Sequence, residues 1–189
     1  MLKLSEKYKK EVIPAMKEKF GYTNDMAVPR IKKVIVNSGF GRQVSGKTGK
    51  EGEKIQKHIL NELSLITGQK PALRKAKKSI SSFKLRKGVP IGAVVTLRGR
   101  KMYDFLERLI FITFPRTRDF RGLDSKLIDQ KGNLCLGFRE HTSFPEISAE
   151  KEKSIFGLEI AIATTADNKE QGLELLRLLG FPLQMKNEK

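Results

Sequence analysis

Between Leu63 and Tyr103 the sequence contains no aspartate or glutamate, although the chain has 21 acids against 38 lysines and arginines and a formal charge of +17. Eleven of the cations fall in that acid-free stretch. So one-sided a block repels itself unless a polyanion neutralises it, and nucleic acid is the commonest polyanion inside cells. Cysteine is almost absent. The one present, Cys135, excludes an intramolecular disulfide and any need for an oxidising compartment, and it is expected as a small buried core residue. The two histidines, His58 and His141, are far apart in the sequence; with one distant cysteine they make no metal site, and each is expected on a surface or helix face. No stretch approaches the length of a membrane span, and the first residues intersperse charge with apolar side chains, unlike a secretory signal. Cytosol is the expected compartment.

What is present is a strongly basic chain of 189 residues, 39% hydrophobic and 31% charged, enough for one packed domain with a sizeable insertion. In the basic block, Lys70, Arg74, Lys75, Lys77, Lys78, Lys84, Arg86 and Lys87 surround a small flexible tip from Ser79 to Phe83, with Ile80 and Phe83 as isolated apolar residues. Phosphates take lysine and arginine, and an exposed phenylalanine among them stacks on an unpaired base, which suits a shaped RNA better than a uniform duplex. A solvated lysine-rich loop with Phe83 tucked into the core fits the same letters.

Periodicity organises the rest. Leu4, Tyr8, Val12, Met16 and Phe20 recur every fourth residue, a helical stripe that Pro14 should kink or divide near Ile13. Ile31 to Asn37 is a short β-branched strand, followed by a glycine-rich linker to Gly52. Ile55, Ile59, Leu63 and Ile66 line a helix ending at Gly68. Two strands follow, Leu73 to Ser79 and Gly92 to Arg98; in the second, Ala93, Val95 and Leu97 share one face, leaving Thr96 and Arg98 on the other. Met102, Phe105, Leu106, Leu109 and Ile110 mark a helix that should stop before Pro115. From 114 to 156 the pattern weakens into an insertion poor in apolar residues, with a short strand at Leu134 to Phe138. Leu158 to Thr164 alternates as a strand, and Asp167 with Glu170 spells a capping box ahead of a helix through Leu173, Leu176 and Leu179. The order predicts an α+β fold: a mixed, mainly antiparallel sheet with helices on one face, a ferredoxin-like split β-α-β core plus the insertion. It reads as a single RNA-binding domain, 1–189, with a helical segment 1–28, a basic loop 74–90 and the insertion 114–156.

One motif points elsewhere. Gly41 to Thr48 matches G-x-x-x-x-G-K-[ST], in which a glycine-rich backbone cradles phosphates, Lys47 reaches the terminal ones and Thr48 holds magnesium. Against it, Asn37 to Phe40 separate the strand from the glycines, Gly49 and Gly52 would occupy the first helical turn, and no strand ends in a magnesium-binding aspartate. The groupings Glu140, Glu146 and Glu150, or Asp119 and Asp124, have no pocket or nucleophile beside them and read as solvated partners of nearby arginines. No catalytic constellation, metal or cofactor is expected, and nucleotide binding through Gly41 to Thr48 stands as the alternative.

Five ordered blocks carry a resemblance: PRIKKVIVNSGFG at Pro29 to Gly41, ITGQKP at Ile66 to Pro71, KKSISSFKLRKGVPIGAVVTLRG at Lys77 to Gly99, FPRTRDFRGL at Phe114 to Leu123 and FREHTSFPEI at Phe138 to Ile147. With the N-terminal pattern of Leu4, Tyr8, Pro14, Phe20, Tyr22, Asn24 and Met26, the chain resembles the bacterial ribosomal protein L five family over nearly its whole length. The resemblance implies a non-catalytic RNA-binding protein of the large ribosomal subunit's central protuberance, with 5S rRNA, large-subunit rRNA, P-site tRNA and a small-subunit head protein as partners, and neither membrane nor small-molecule substrate. It implies an rRNA contact at Asn37, Ser38, Gly39, Gln69, Lys70, Thr96, Arg98 and Arg100. It implies a tRNA-facing loop with Lys75, Lys77, Lys78, Ser79, Ser82, Phe83, Lys84, Arg86 and Lys87. The bridge to the small subunit would use Arg116, Arg118, Asp119, Arg121, Arg139 and Glu140.

Overall fold

Five short extended segments form one sheet: β1 (Ile31–Gly39), β2 (Ala72–Lys75), β3 (Pro90–Leu97), β4 (Leu134–Phe138) and β5 (Leu158–Thr164), in the order β2-β3-β1-β5-β4. A computed structural model describes residues 3–44, 50–118, 120–147 and 155–184. β2, at one edge and exposed along its length, pairs antiparallel with β3, Ala72 opposite Val94 and Arg74 opposite Gly92. The end of β1 meets the start of both neighbours: the Phe40 amide donates to the Ile91 carbonyl, and the Ser38 hydroxyl donates to Gly157. The α+β expectation with a mainly antiparallel sheet therefore holds. On β3, Ala93, Val95 and Leu97 are buried and Thr96 is exposed, as alternation requires.

The chain divides into two compact units, Met1–Val34 with Arg98–Leu136 and Ala161–Lys189, and Ile35–Leu97 with Gly137–Ile160. In the first, α1 (Leu4–Lys7) and α2 (Ile13–Phe20) are joined by a π-helical turn at Tyr8–Val12. The same device recurs where α5 (Gly99–Arg108) passes through a π turn at Leu109–Thr113 into α6 (Phe114–Arg116). Each π turn sits just ahead of a proline, Pro14 or Pro115. A proline clashes with the carbonyl four residues back and lacks an amide, and the wider turn moves the ladder to five-residue bonds, Ile13 to Tyr8 and Phe114 to Leu109. The expected interruption near Ile13 is thus a change of pitch, and the helix does not stop before Pro115. Leu4, Val12 and Met16 lie in the buried stripe of the first of these helices, and Met102, Phe105, Leu106 and Leu109 in that of the second.

The helix Lys169–Leu179, the last among the described residues, belongs to this unit. The capping box spelled by Asp167 and Glu170 does not form: Asn168 is the N-cap, without a side-chain bond, and the Asp167 amide donates to Gln171 Oε1 instead. A Cβ on Gly172 would lie 2.6 Å from the Gly132 carbonyl oxygen, so the helix lies directly on the turn before β4. Glu174, buried, accepts from Lys19 at 2.8 Å and Arg177 at 2.6 Å. Burial pushes this carboxyl up, but those bonds and the two cations outweigh it and hold it below the usual range. The Tyr8 hydroxyl donates to the Pro29 carbonyl at 3.1 Å; burial, with Tyr103 beside it, pushes it up to about 12.

In the second unit the supposed linker is partly helical: α3 (Gly41–Val44) follows β1 after Phe40, and α4 (Lys50–Thr67) begins before Gly52. Ile59, Leu63 and Ile66 are fully buried along α4, as their spacing predicts. β2 ends at Lys75 rather than Ser79. The stretch 114–156, expected to be poor in apolar residues, buries Phe114, Leu123, Ile128, Phe144 and Ile147, and its strand β4 belongs to the sheet. Cys135 is exposed, not a core residue, because Leu134, Leu136 and Phe138 take the inward positions of β4.

Candidate nucleic-acid interface

The acid-free block builds a finger in the second unit. Past the end of β2, Ala76 and Val89 continue the pairing, with the Ala76 amide donating to Val89 at 2.8 Å and the Gly88 amide to Ala76 at 2.9 Å. Further out, Ile80 and Leu85 exchange bonds of 2.9 and 3.1 Å, and the Lys87 amide donates to Ser79 Oγ at 2.9 Å. The Lys84 amide closes a turn onto the Ser81 carbonyl at 2.9 Å, leaving Ser82 and Phe83 at its apex; Lys84 takes φ +49° to complete it. The tip is therefore a hairpin-like turn closed by backbone hydrogen bonds. Phe83 is 67% exposed, which removes the reading that tucks it into the core.

Charge on this finger faces solvent. Lys75, Lys77, Lys78, Ser79, Ser82, Lys84, Arg86 and Lys87 are all exposed, as are Lys70 and Arg74 near its base. Among the described residues none of these cations pairs with a carboxylate. Cations crowded on one hairpin repel one another, so the backbone bonds that hold it shut leave a surface of unneutralised positive charge capped by an aromatic ring. Such a surface binds phosphates and stacks on a base.

The strands supply the second element. Asn37, half-buried, and Gly39, exposed, lie on the side of β1 opposite its buried residues, and Thr96 is exposed on β3. Gln69 and Lys70 are exposed just after α4. Ser38 differs: it is 1% exposed and its hydroxyl donates to Gly157 at 2.9 Å, so its side chain faces inward. Arg98 and Arg100 are exposed but belong to the first unit, at the N-terminal end of α5. Of the bridge residues, Arg116, Arg118 and Arg121 are exposed in the first unit, Arg139 and Glu140 in the second, and Asp119 lies outside the described residues.

Two features escaped the sequence reading. Gly92 stands opposite Arg74, and a Cβ there would sit 3.1 Å from the Ser38 carbonyl and 3.9 Å from both Arg74 Cβ and Gly39 Cα. A glycine inside an otherwise β-branched strand is the signal for such a close backbone approach. The histidines are the second. His58 Nε2 lies 2.9 Å from Glu62 Oε1 and His141 Nε2 2.7 Å from Glu62 Oε2, so His58, on a helix face as expected, and His141, buried against expectation, share one buried carboxylate. Both are close charge-type contacts rather than hydrogen bonds. His141 is fully buried, stacks on Phe156 with ring centroids 3.9 Å apart, and accepts the Phe156 amide at Nδ1 at 3.4 Å. This cluster fastens the segment after β4 to α4 and offers no open position; among the described residues no group of three or more His, Cys, Asp or Glu is arranged to hold a metal ion.

The phosphate-loop spelling does not build a cradle where it is described. Gly41–Val44 is already helical, with the Gln43 and Val44 amides donating to Phe40 at 3.0 and 3.1 Å instead of lining a loop; Ser45 to Thr48 lie outside the described residues. Among the described residues no helix is long and apolar enough to cross a membrane.

An α+β sheet protein with a bare basic finger and an exposed aromatic tip is, by class, a nucleic-acid-binding protein. The family model described as ribosomal protein L5 matches residues 24–86, and the model for the C-terminus of the same ribosomal family matches residues 90–183. The large ribosomal subunit protein uL5 of Halothermothrix orenii is 49% identical over 179 residues, covering 95% of this chain and 97% of its own. That of Clostridium beijerinckii is 47% identical over 182 residues, covering 96% and 98%, and that of Rubrobacter xylanophilus 48% over 184 residues, covering 97% and 99%. The chain belongs to the ribosomal protein L5 family, whose members are structural components and not enzymes.

Proposed function

We propose that this chain works as a structural rRNA-binding protein of the large subunit of the cytoplasmic ribosome, anchoring 5S rRNA in the central protuberance and touching neighbouring large-subunit rRNA. The observation that carries the RNA-binding part of this reading is the finger: a hairpin-like turn with every cation exposed and Phe83 at its apex. Asn37, Gly39, Gln69, Lys70, Thr96, Arg98 and Arg100 contact rRNA, the amide and hydroxyl groups supplying hydrogen bonds to sugars and bases where lysine only neutralises. Ser38 takes part through its backbone, since its hydroxyl is committed to Gly157. Gly39, with open space where a Cβ would stand, lets the RNA backbone come close. The finger from Lys75 to Lys87 reaches P-site tRNA, and Arg116, Arg118, Asp119, Arg121, Arg139 and Glu140 bridge to a protein of the small-subunit head. Residues 1–189 act together as one RNA-binding domain, without membrane or small-molecule partner.

Binding to 5S rRNA, compared with a structured RNA of equal length across a salt titration and with ATP and magnesium in a parallel series, tests the reading. Neutralising about six phosphates lowers affinity roughly a thousandfold from low to moderate salt. Selective binding indifferent to ATP is expected. Unselective or ATP-dependent binding would overturn it and return attention to Gly41 to Thr48.

A further inference from the structure

The pairing of β2 with β3 sets one cation of the acid-free block apart from the others. Directly opposed residues of an antiparallel pair put their side chains on one face, and Arg74 stands opposite Gly92. That face is the outer one, because Ala93, Val95 and Leu97 turn inward on β3. Arg74 therefore leaves the sheet on the face that carries Asn37, Gly39 and Thr96, away from the cations of the finger's turn.

Across the neighbouring strands β2, β3 and β1, this face runs from Arg74 over Gly92 to Gly39. A methyl on Gly92 would lie 3.1 Å from the Ser38 carbonyl oxygen, a backbone atom that cannot swing aside, and 3.9 Å from Arg74 Cβ and Gly39 Cα. Gly39 has open space where a Cβ would stand. Neither glycine takes a positive φ, so the pair supplies no special backbone conformation; it supplies a floor of bare backbone with a guanidinium at one margin. A phosphate chain can settle on such a floor, where larger side chains would hold it off. Arg74 is exposed and, among the described residues, faces no carboxylate. Its planar fork of donors fits a phosphate bidentately, which the point charge of a lysine does not.

Building on the rRNA-binding reading above, we propose that Arg74 belongs to the 5S rRNA contact and not to the finger. Its guanidinium holds one phosphate of an RNA strand laid over Gly92 and Gly39, and so sets the register in which Asn37 and Thr96 meet that strand's sugars and bases. Arg74 is then a positioning residue, whose geometry matters beyond its charge.

The test measures binding of the full chain to 5S rRNA and to a structured RNA of equal length across a salt titration, for the parent, Arg74→Lys, Arg74→Ala, Asn37→Ala and the double variant Arg74→Lys with Asn37→Ala. Arg74→Lys keeps the charge and should keep the salt slope, yet lower the preference for 5S rRNA by about tenfold. Arg74→Ala should lose as much preference and also reduce the slope by about one. Because Arg74 acts through the register at Asn37, the double variant should lose little more preference than the worse single variant. A parent that does not prefer 5S rRNA would overturn the rRNA reading and this proposal with it. A selective parent whose preference survives Arg74→Lys, or in which the two single losses add in full, overturns the proposal alone, as does an Arg74→Lys chain that unfolds at lower urea than the parent.

Discussion

The finger and the buried carboxylates use charge in opposite ways. Glu62 lies between His58 and His141 at 2.9 and 2.7 Å, and Glu174 accepts from Lys19 and Arg177, each carboxylate shielded from water with two nitrogen-bearing neighbours. On the finger the cations have no carboxylate among the described residues and stand in solvent. A buried charge must be paired because desolvation is otherwise uncompensated, whereas an exposed unpaired cation costs little to keep and remains available to a phosphate. Charge therefore separates the residues that hold this chain together from those that meet its partner, and substitutions in the two regions should have non-overlapping effects.

The largest expected effect is on folding. Glu62→Ala leaves His141 fully buried without its carboxylate and should destabilise the protein by about 2–3 kcal/mol in urea unfolding, with the salt dependence of RNA binding unchanged in the protein that remains folded. Stability within about 0.5 kcal/mol of the parent would show that the cluster is a bystander. Phe83→Ala should do the reverse, weakening RNA binding by about 1–3 kcal/mol through lost stacking while leaving unfolding untouched. An unfolding shift there would mean that the ring supports the hairpin-like turn itself.

Glu174 gives the comparison a pH dependence. Its folded carboxyl is held below the ordinary value of 4.5, so the pairing with Arg177 and Lys19 contributes stability that is fully present above about pH 4.5. That contribution is lost as the pH falls through the depressed folded value. Since both partners are about half exposed, solvent screens the pair and the effect is smaller than at Glu62. A Glu174→Gln variant should show a flatter loss of stability between about pH 5 and the acid limit than the parent; parallel curves would remove Glu174 from the account.

Local patterns carried far into this fold. The β5 boundaries, the α4 stripe and the alternation of β3 follow from apolar spacing alone, because each depends only on which side of its own element faces the core. The bare basic finger was equally legible, since self-repulsion is a property of a local block. What could not be read were pairings across the fold. His58 and His141 meet only because the segment after β4 returns to α4, and no local rule links two histidines so far apart. The inward turn of Ser38 and the outward turn of Cys135 are intermediate cases: strand parity places both, once the buried neighbours Val36 and Leu136 fix the phase. The π turns ahead of Pro14 and Pro115 reflect a compromise between a missing amide and a core stripe that needs the helix to continue.

The smallest effects divide the interface within itself. Lys84 is an exposed cation at the turn, able to neutralise one phosphate but without a fixed partner among the described residues, whereas Asn37 is half-buried on β1 with an amide that donates and accepts along defined directions. Lys84→Ala should therefore reduce the slope of log affinity against log salt by about one and weaken binding to all RNAs alike. Asn37→Ala should leave that slope nearly unchanged and lower the preference for 5S rRNA over a structured RNA of equal length. Neither should move the unfolding midpoint, because neither holds an element in place. Equal slopes in the two variants would mean that strand and finger contribute the same undirected charge attraction, and the distinction between positioning by phosphate contact and selection by hydrogen bonding would not apply to this surface.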